Sequence, residues 1–237
     1  MLSETTRRQA TYSPFRAGLA LAVLLLASAF GTGGAKAEDP APGTPPLGIF
    51  IYTIFRDGTP VGQQRMEFVG DGNKLRIISH TELDVTLLGL SVYGFDQQVE
   101  ELHGNGKILS LTSEANDDGT DKKVVLTLEG DRLAGSFNTD KRRNIDPTLP
   151  TSLFWQKPAT GATHVIDTVR GKTRDVTVTD RGAETLNLPI GRVEAHHFSM
   201  TGEMKRELWY DASGILVAGQ VTARDGSTVR QELQQRP

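Results

Sequence analysis

The stretch "KLRIISHTELDVTL", Lys74 to Leu87, decides the fold. Leu75, Ile77, Leu83, Val85 and Leu87 share one side of a period of two, with Ser79 and Thr81 between them. Lys74, Arg76, His80, Glu82 and Asp84 fall on the other side. Successive side chains of a strand point to opposite faces, so alternation over this length predicts a strand with one face buried.

The same pattern recurs on both sides of this stretch. In "KKVVLTLE", Val124, Leu126 and Leu128 alternate with Lys123, Thr127 and Glu129. "GIFIYTIFR" is apolar on both faces, which predicts that Ile49 to Phe55 is covered on both sides. Turn signals separate the runs: "RDGTP" at 56, "GDGN" at 70, "HGNG" at 103, "NDDGT" at 116, "EGDR" at 129, "DASG" at 211 and "RDGS" at 224. Asp-Gly and Asn-Gly supply the positive φ angles of tight hairpin turns. The reading is about eleven strands in one meander. The one short helical turn expected is "PTSLFWQ", Pro150 to Gln156, after the least strand-like connection, "NTDKRRNIDPTLP". An all-β antiparallel meander of this size must curl into an open or closed barrel to cover its apolar face.

The beginning of the chain predicts an address. Arg7, Arg8 and Arg16 precede the apolar run Ala17 to Phe30, and Ala35-Lys36-Ala37 is a small-x-small site. These are the parts of a secretory signal peptide, with cleavage expected after Ala37 and a periplasmic, secreted mature chain. The run is shorter than the ~20 apolar residues of a membrane-spanning helix, so the mature chain is expected to have no transmembrane segment. Residues 38–48 form a Pro-rich lead-in, and 49–237 a single β domain. The leader takes four of the 26 Lys/Arg and one of the 29 Asp/Glu, leaving 22 against 28 and a net charge of −6. That balance argues against nucleic acid as a partner. The chain has no cysteine, which excludes a lipid-anchored lipoprotein and disulfides.

The chemistry-bearing residues cluster in "RVEAHHFSMTGEMKRELWYDASGIL", Arg192 to Leu216. His196 and His197 are adjacent on a strand and face opposite ways, so they cannot chelate one ion. A two-residue turn at Gly202-Glu203 would set His196 opposite Trp209, Glu194 opposite Asp211 and Phe198 opposite Glu207. A metal site needs three converging ligands and only two can be argued, so no metal and no cofactor are expected. Glu100 and Glu101 also face opposite ways and are not a glycosidase pair. His80 lies on a polar face, and Lys141-Arg142-Arg143 reads as a solvated loop. No cysteine nucleophile, G-x-S-x-G elbow or phosphate loop is present, and no catalytic residue is assigned.

The aromatic residues read either as core or as the lining of an apolar pocket, since curled antiparallel sheets commonly enclose such ligands. The ligand-binding set expected is Tyr52, Leu153, Phe154, Trp155, Trp209 and Tyr210. The connection Asn138 to Leu149, hinged by Pro147 and Pro150, is the expected gate, and Trp155→Ala is expected to weaken binding without unfolding the domain.

Three segments, "LPTSLFWQ", "GRVEAHHFSMTGEMKRELWYDASGILV" and "DGSTVRQEL", resemble a family of exported proteobacterial proteins known only as a domain of unknown function. The resemblance implies a curved antiparallel sheet, similar to the half-barrels of periplasmic lipoprotein carriers, and it brings no catalytic residue. The function expected is non-enzymatic binding or carriage of a hydrophobic, lipid-like molecule in the curved sheet. An envelope scaffold or assembly factor that binds another protein is the alternative, and a metal-assisted hydrolase at the Glu194/His196 face is the third reading.

Overall fold

A computed structural model describes residues 45–87 and 90–237. The signal-peptide reading, and the lead-in as far as residue 44, lie outside the described residues. Among the described residues fourteen strands follow in order: β1 (Gly48–Arg56), β2 (Thr59–Asp71), β3 (Lys74–Leu87), β4 (Leu90–Gly104), β5 (Lys107–Asp117), β6 (Thr120–Glu129), β7 (Arg132–Phe137), β8 (Asp140–Ile145), β9 (His164–Asp167), β10 (Lys172–Leu188), β11 (Gly191–Gly202), β12 (Arg206–Asp211), β13 (Leu216–Thr222) and β14 (Thr228–Gln235). All belong to one antiparallel sheet in the order β8 to β1, then β14 down to β9. The chain thus meanders outward from β1 to one edge, crosses to the other edge, and meanders back to pair β14 with β1.

The turns follow the local chemistry. Asp57-Gly58, Asn105-Gly106 and Asp118-Gly119 each put two successive residues at positive φ, between 48° and 81°. This conformation matches the twist of the flanking strands, and Asn or Asp followed by Gly adopts it at least cost.

Along β3 the alternation holds: Ile77, Ser79 and Val85 are buried, while Lys74, Glu82 and Asp84 are exposed. β1 buries only one face fully, with Phe50, Tyr52 and Ile54 inside and Ile49, Ile51 and Phe55 half-buried, so the expected cover on both sides is partial.

The meander has more strands than expected. "DKRRNI", read as loop, is the edge strand β8, paired to β7 through Gly135↔Arg142 and Phe137↔Asp140. Its charged residues hide the alternation, and they also blunt an exposed sheet edge against pairing with another chain. The expected helical turn at Pro150 to Gln156 is a single turn, in which the Phe154 amide donates to the Thr151 carbonyl at 3.1 Å. Among the described residues there is no helix, and none long and apolar enough to cross a membrane.

The sheet curls without closing. β8 and β9 form no ladder, yet Ile166 of β9 packs with Leu111, Leu126, Leu133 and Ile145 from the opposite half. The turn after β9 reaches the same wall: a Cβ on Gly171 would lie 2.8 Å from Val124 Cγ1. Inside the curl, residues stack in rows across the strands. Phe68, Ile77, Glu101, Leu111 and Leu126 form one row. Phe50, Met66, Ser79, Val99, Ser113 and Val124 form the next. Then come Tyr52, Gln64, Thr81, Gln97 and Ala115, followed by Leu208, Gly219, Gln231, Ile54, Gly62, Leu83 and Phe95.

Candidate functional site

The connection from β8 to β9 enters this interior. Leu153, Phe154 and Trp155 are all at least nine-tenths buried. Trp155 sits edge-on to Phe68 at 5.8 Å and to His103 at 5.1 Å. Its indole Nε1 donates to Glu101 Oε2 at 3.0 Å, and His103 Nε2 donates to the same oxygen at 2.8 Å. Glu101 is wholly buried, whereas its neighbour Glu100 pairs outside with Arg76, so the two carboxylates do face opposite ways. The Phe154 carbonyl accepts from Tyr210 Oη at 2.7 Å, and Tyr52 Oη donates to the Leu216 carbonyl at 3.0 Å. Burial raises the pKa of both phenols well above the ordinary tyrosine value, with the Asp211 charge adding to the effect at Tyr52 and Tyr52 itself at Tyr210. The segment is therefore a plug that fills the deep half of the curl.

Above the plug lies a cavity of about 290 Å³. Ile54, Leu83, Phe95, Leu208, Val221 and Val229 line its walls, and Leu153 and Phe154 close one side. Its floor is polar. Gln64 Nε2 donates to Ser79 and Thr81 at 3.2 and 3.1 Å, and Gln97 Nε2 donates to Ser113 and Thr168 at 2.9 and 3.2 Å. Gln64 Oε1 is buried and has no donor among the described residues. Arg206 and Arg170 also border the cavity. Along β12 the interior-facing residues run Tyr210, Leu208, Arg206, from the plug outward, so Arg206 stands at the rim.

The expected ligand-binding residues are distributed around this arrangement. Leu153 and Phe154 reach the cavity wall; Tyr52, Trp155 and Tyr210 lie in the packed interior. Trp209 is on the other face of β12 from Tyr210. There His197 stacks on it at 4.5 Å, the Arg230 guanidinium lies 4.8 Å from its ring, and its Nε1 donates to Glu184. The expected gate, Asn138 to Leu149, contains β8 and is tied down by the Ile108 amide, which donates to the Pro147 carbonyl at 2.8 Å. Lys141, Arg142 and Arg143 belong to that strand and not to a loop.

The register of the histidine hairpin differs by one residue from the two-residue-turn reading. His196 faces Tyr210, His197 faces Trp209 and Phe198 faces Leu208. Thr201 and Gly202 stay paired to β10, and the Glu203 amide donates to the Asp175 carbonyl, so five residues, 201 to 205, make the connection. A shift of one residue swaps every partner. His196 Nε2 donates to Asp180 at 2.6 Å and His197 Nε2 donates to Glu207 at 2.7 Å, on opposite faces. Glu194 accepts from Thr185. One grouping with metal-ligand geometry exists among the described residues, elsewhere: His80 Nε2 lies 3.2 Å from Glu82 and 3.0 Å from Asp96 on the outer surface. Purified protein is expected to carry no stoichiometric zinc, iron or copper and to melt at the same temperature with chelator. An ion lost on His196→Ala or His80→Ala, detected by elemental analysis, would refute this.

Gln64, Gln97, Arg170 and Arg206 were not anticipated. The signal for the polar floor was Ser79 and Thr81, which interrupt an otherwise apolar face. Period two along "RELWY" places Arg206 on the face of Leu208 and Tyr210.

Residues 52–234 match the family described as "Domain of unknown function (DUF6134)". No curated protein matches the chain. Among solved structures, the chain is similar to a beta-barrel-like protein of domain of unknown function DUF1849 from Brucella abortus, with a TM-score of 0.54 and 12% identity. The match covers 78% of this chain and 93% of that one. At that identity the likeness shows a shared barrel-like fold. The chain belongs to the DUF6134 family.

Proposed function

We propose that this DUF6134 protein is a non-enzymatic binding protein of the periplasm, which holds an apolar or amphipathic, lipid-like molecule in the cavity of its curled sheet. The observation that carries the reading is the contrast within one interior. The deep half is filled by Leu153, Phe154 and Trp155, while a cavity of about 290 Å³, its walls shared between apolar side chains and Gln220 and Gln231, stays open above them. Ligand pockets begin at about 300 Å³, so the cavity suits a small ligand or the end of a larger one. Leu153 and Phe154 touch the ligand in this reading; Tyr52, Trp155 and Tyr210 hold the plug that shapes the site.

The test is native mass spectrometry of the protein isolated from its own host. An adduct that organic extraction removes, and that returns when the extract is added back, is the expected result. A clean spectrum, with no recovery of an adduct from total lipid extract, would overturn the reading. Export carries its own expectation: intact mass should place the first residue of the mature chain at Glu38, and an uncleaved chain retained in the membrane would contradict it.

The second reading, an envelope assembly factor, has one observation in its favour. Leu90 and Val92 of β4 are 72% and 50% exposed, and large apolar residues exposed together suit contact with another protein. Leu90→Ser with Val92→Ser should leave ligand binding unchanged; loss of a co-purifying envelope protein in that variant would support the second reading.

A further inference from the structure

Arg170 and Arg206 border the cavity together with the carboxylate of Asp167, and Arg174 pairs with that carboxylate. Asp167 is buried and already satisfied: its Oδ2 accepts from Arg174 Nε and Nη2 at 3.0 and 2.7 Å, and its Oδ1 accepts from the Val169 and Arg170 amides at 2.9 and 3.1 Å. Arg174 also lies 3.8 Å from Glu203, and Arg170 lies 3.8 Å from Asp167. Arg170, Arg174 and Arg206 thus stand around Asp167, with Glu203 near Arg174 and the Asp117 charge reaching Arg170.

Of the three, Arg206 is the one without a carboxylate partner within ion-pair distance among the described residues. Among the described residues it makes no ion pair, and its Nη1 donates only to the adjacent Lys205 carbonyl at 2.8 Å. Burial holds its pKa below the ordinary arginine value, and Asp167 opposes the shift. Even so, a guanidinium stays charged at any working pH. A half-buried, unpaired guanidinium costs free energy, which an anion bound to its planar fork would recover.

We infer that the cavity selects an anionic amphiphile, its carboxylate or phosphate held by Arg206 at the rim and its apolar chain laid along Leu208, Ile54, Leu83 and Phe95. This inference rests on the proposed reading of the cavity as an apolar binding site, and it adds the charge of the ligand. At about the 30 Å³ that one water occupies per heavy atom, 290 Å³ holds roughly ten heavy atoms, the size of an eight-carbon acid.

The experiment is isothermal titration of the purified protein at pH 8 with octanoate, octyl phosphate, 1-octanol and octyltrimethylammonium. At least one of the two anions should bind tenfold or more tightly than octanol, and the cation should bind most weakly. The tighter anion identifies the head group as carboxylate or phosphate. Arg206→Gln should bring the anions down to the level of octanol, and Arg206→Lys should restore part of the difference. Octanol binding as tightly as both anions, or an anion preference that survives Arg206→Gln, would overturn the inference and leave the apolar site standing. Failure of every octyl probe to bind would overturn both. If Arg206→Gln does not fold, the comparison of octanol with the anions on the unaltered protein still decides.

Discussion

Trp155→Ala is expected to destabilise the protein by about 3–5 kcal/mol, the usual range for emptying a buried tryptophan site. Trp155 is 6% exposed and wedged among Phe68, His103 and Glu101. Its loss opens a void and takes one of two donors from Glu101 Oε2, while Glu101 Oε1 already has none among the described residues. A buried acceptor left short of a donor adds about 1–3 kcal/mol. Against the 5–15 kcal/mol typical of a domain, this is a large fraction. At ~2–4 °C per kcal/mol, the melting temperature should fall by roughly 10 °C or more. Trp155→Phe should cost clearly less, since most of the ring volume remains. The sequence-based expectation was that Trp155→Ala would spare the fold. The structure reverses it because the tryptophan plugs the interior instead of lining the cavity, and an unchanged melting temperature would contradict that placement.

Ile166→Ala is the second large effect, expected at about 2–5 kcal/mol for a buried isoleucine. Ile166 is fully buried, and its side chain carries the contact between the β9 edge and the interior of β5 to β8. Its amide donates to the Pro150 carbonyl at 2.9 Å and its carbonyl accepts from the Ser152 amide at 2.8 Å, so the backbone anchor survives the substitution. The loss should therefore appear where the curl is held only by packing. Hydrogen exchange should quicken in β8 and β9 before it does in the central strands β1 to β4. Uniform quickening throughout the sheet would show that the two edges do not depend on this contact.

Much of this architecture was legible. Period two along Lys74 to Leu87 and the Asp-Gly and Asn-Gly turns are local signals, and each corresponds to a strand face or a hairpin in the fold. Features that depend on partners distant in sequence were not legible. β8 escaped because four of its six residues are Asp, Lys or Arg, and only Ile145 turns a large apolar side chain inward. The β11–β12 register depended on whether the connection has an even or odd number of residues. That was decided by Thr201 and Gly202 staying with β10, which no local pattern reports. The aromatic cluster Leu153-Phe154-Trp155 was visible, but filling a cavity and lining one call for the same residues. The polar floor was half visible, as Ser79 and Thr81 on an apolar face; Gln64 and Gln97 join it only through the strand register.

The central claim, that the open part of the curl is a ligand site, is tested most directly by methyl nuclear magnetic resonance with octanoate. Titration should shift the methyl signals of Ile54, Leu83, Leu208 and Val229, which line the cavity. Leu111, Leu126 and Leu133, packed in the opposite half, should hold still. Shifts confined to that second group, or none in either group at saturating ligand, would contradict the account.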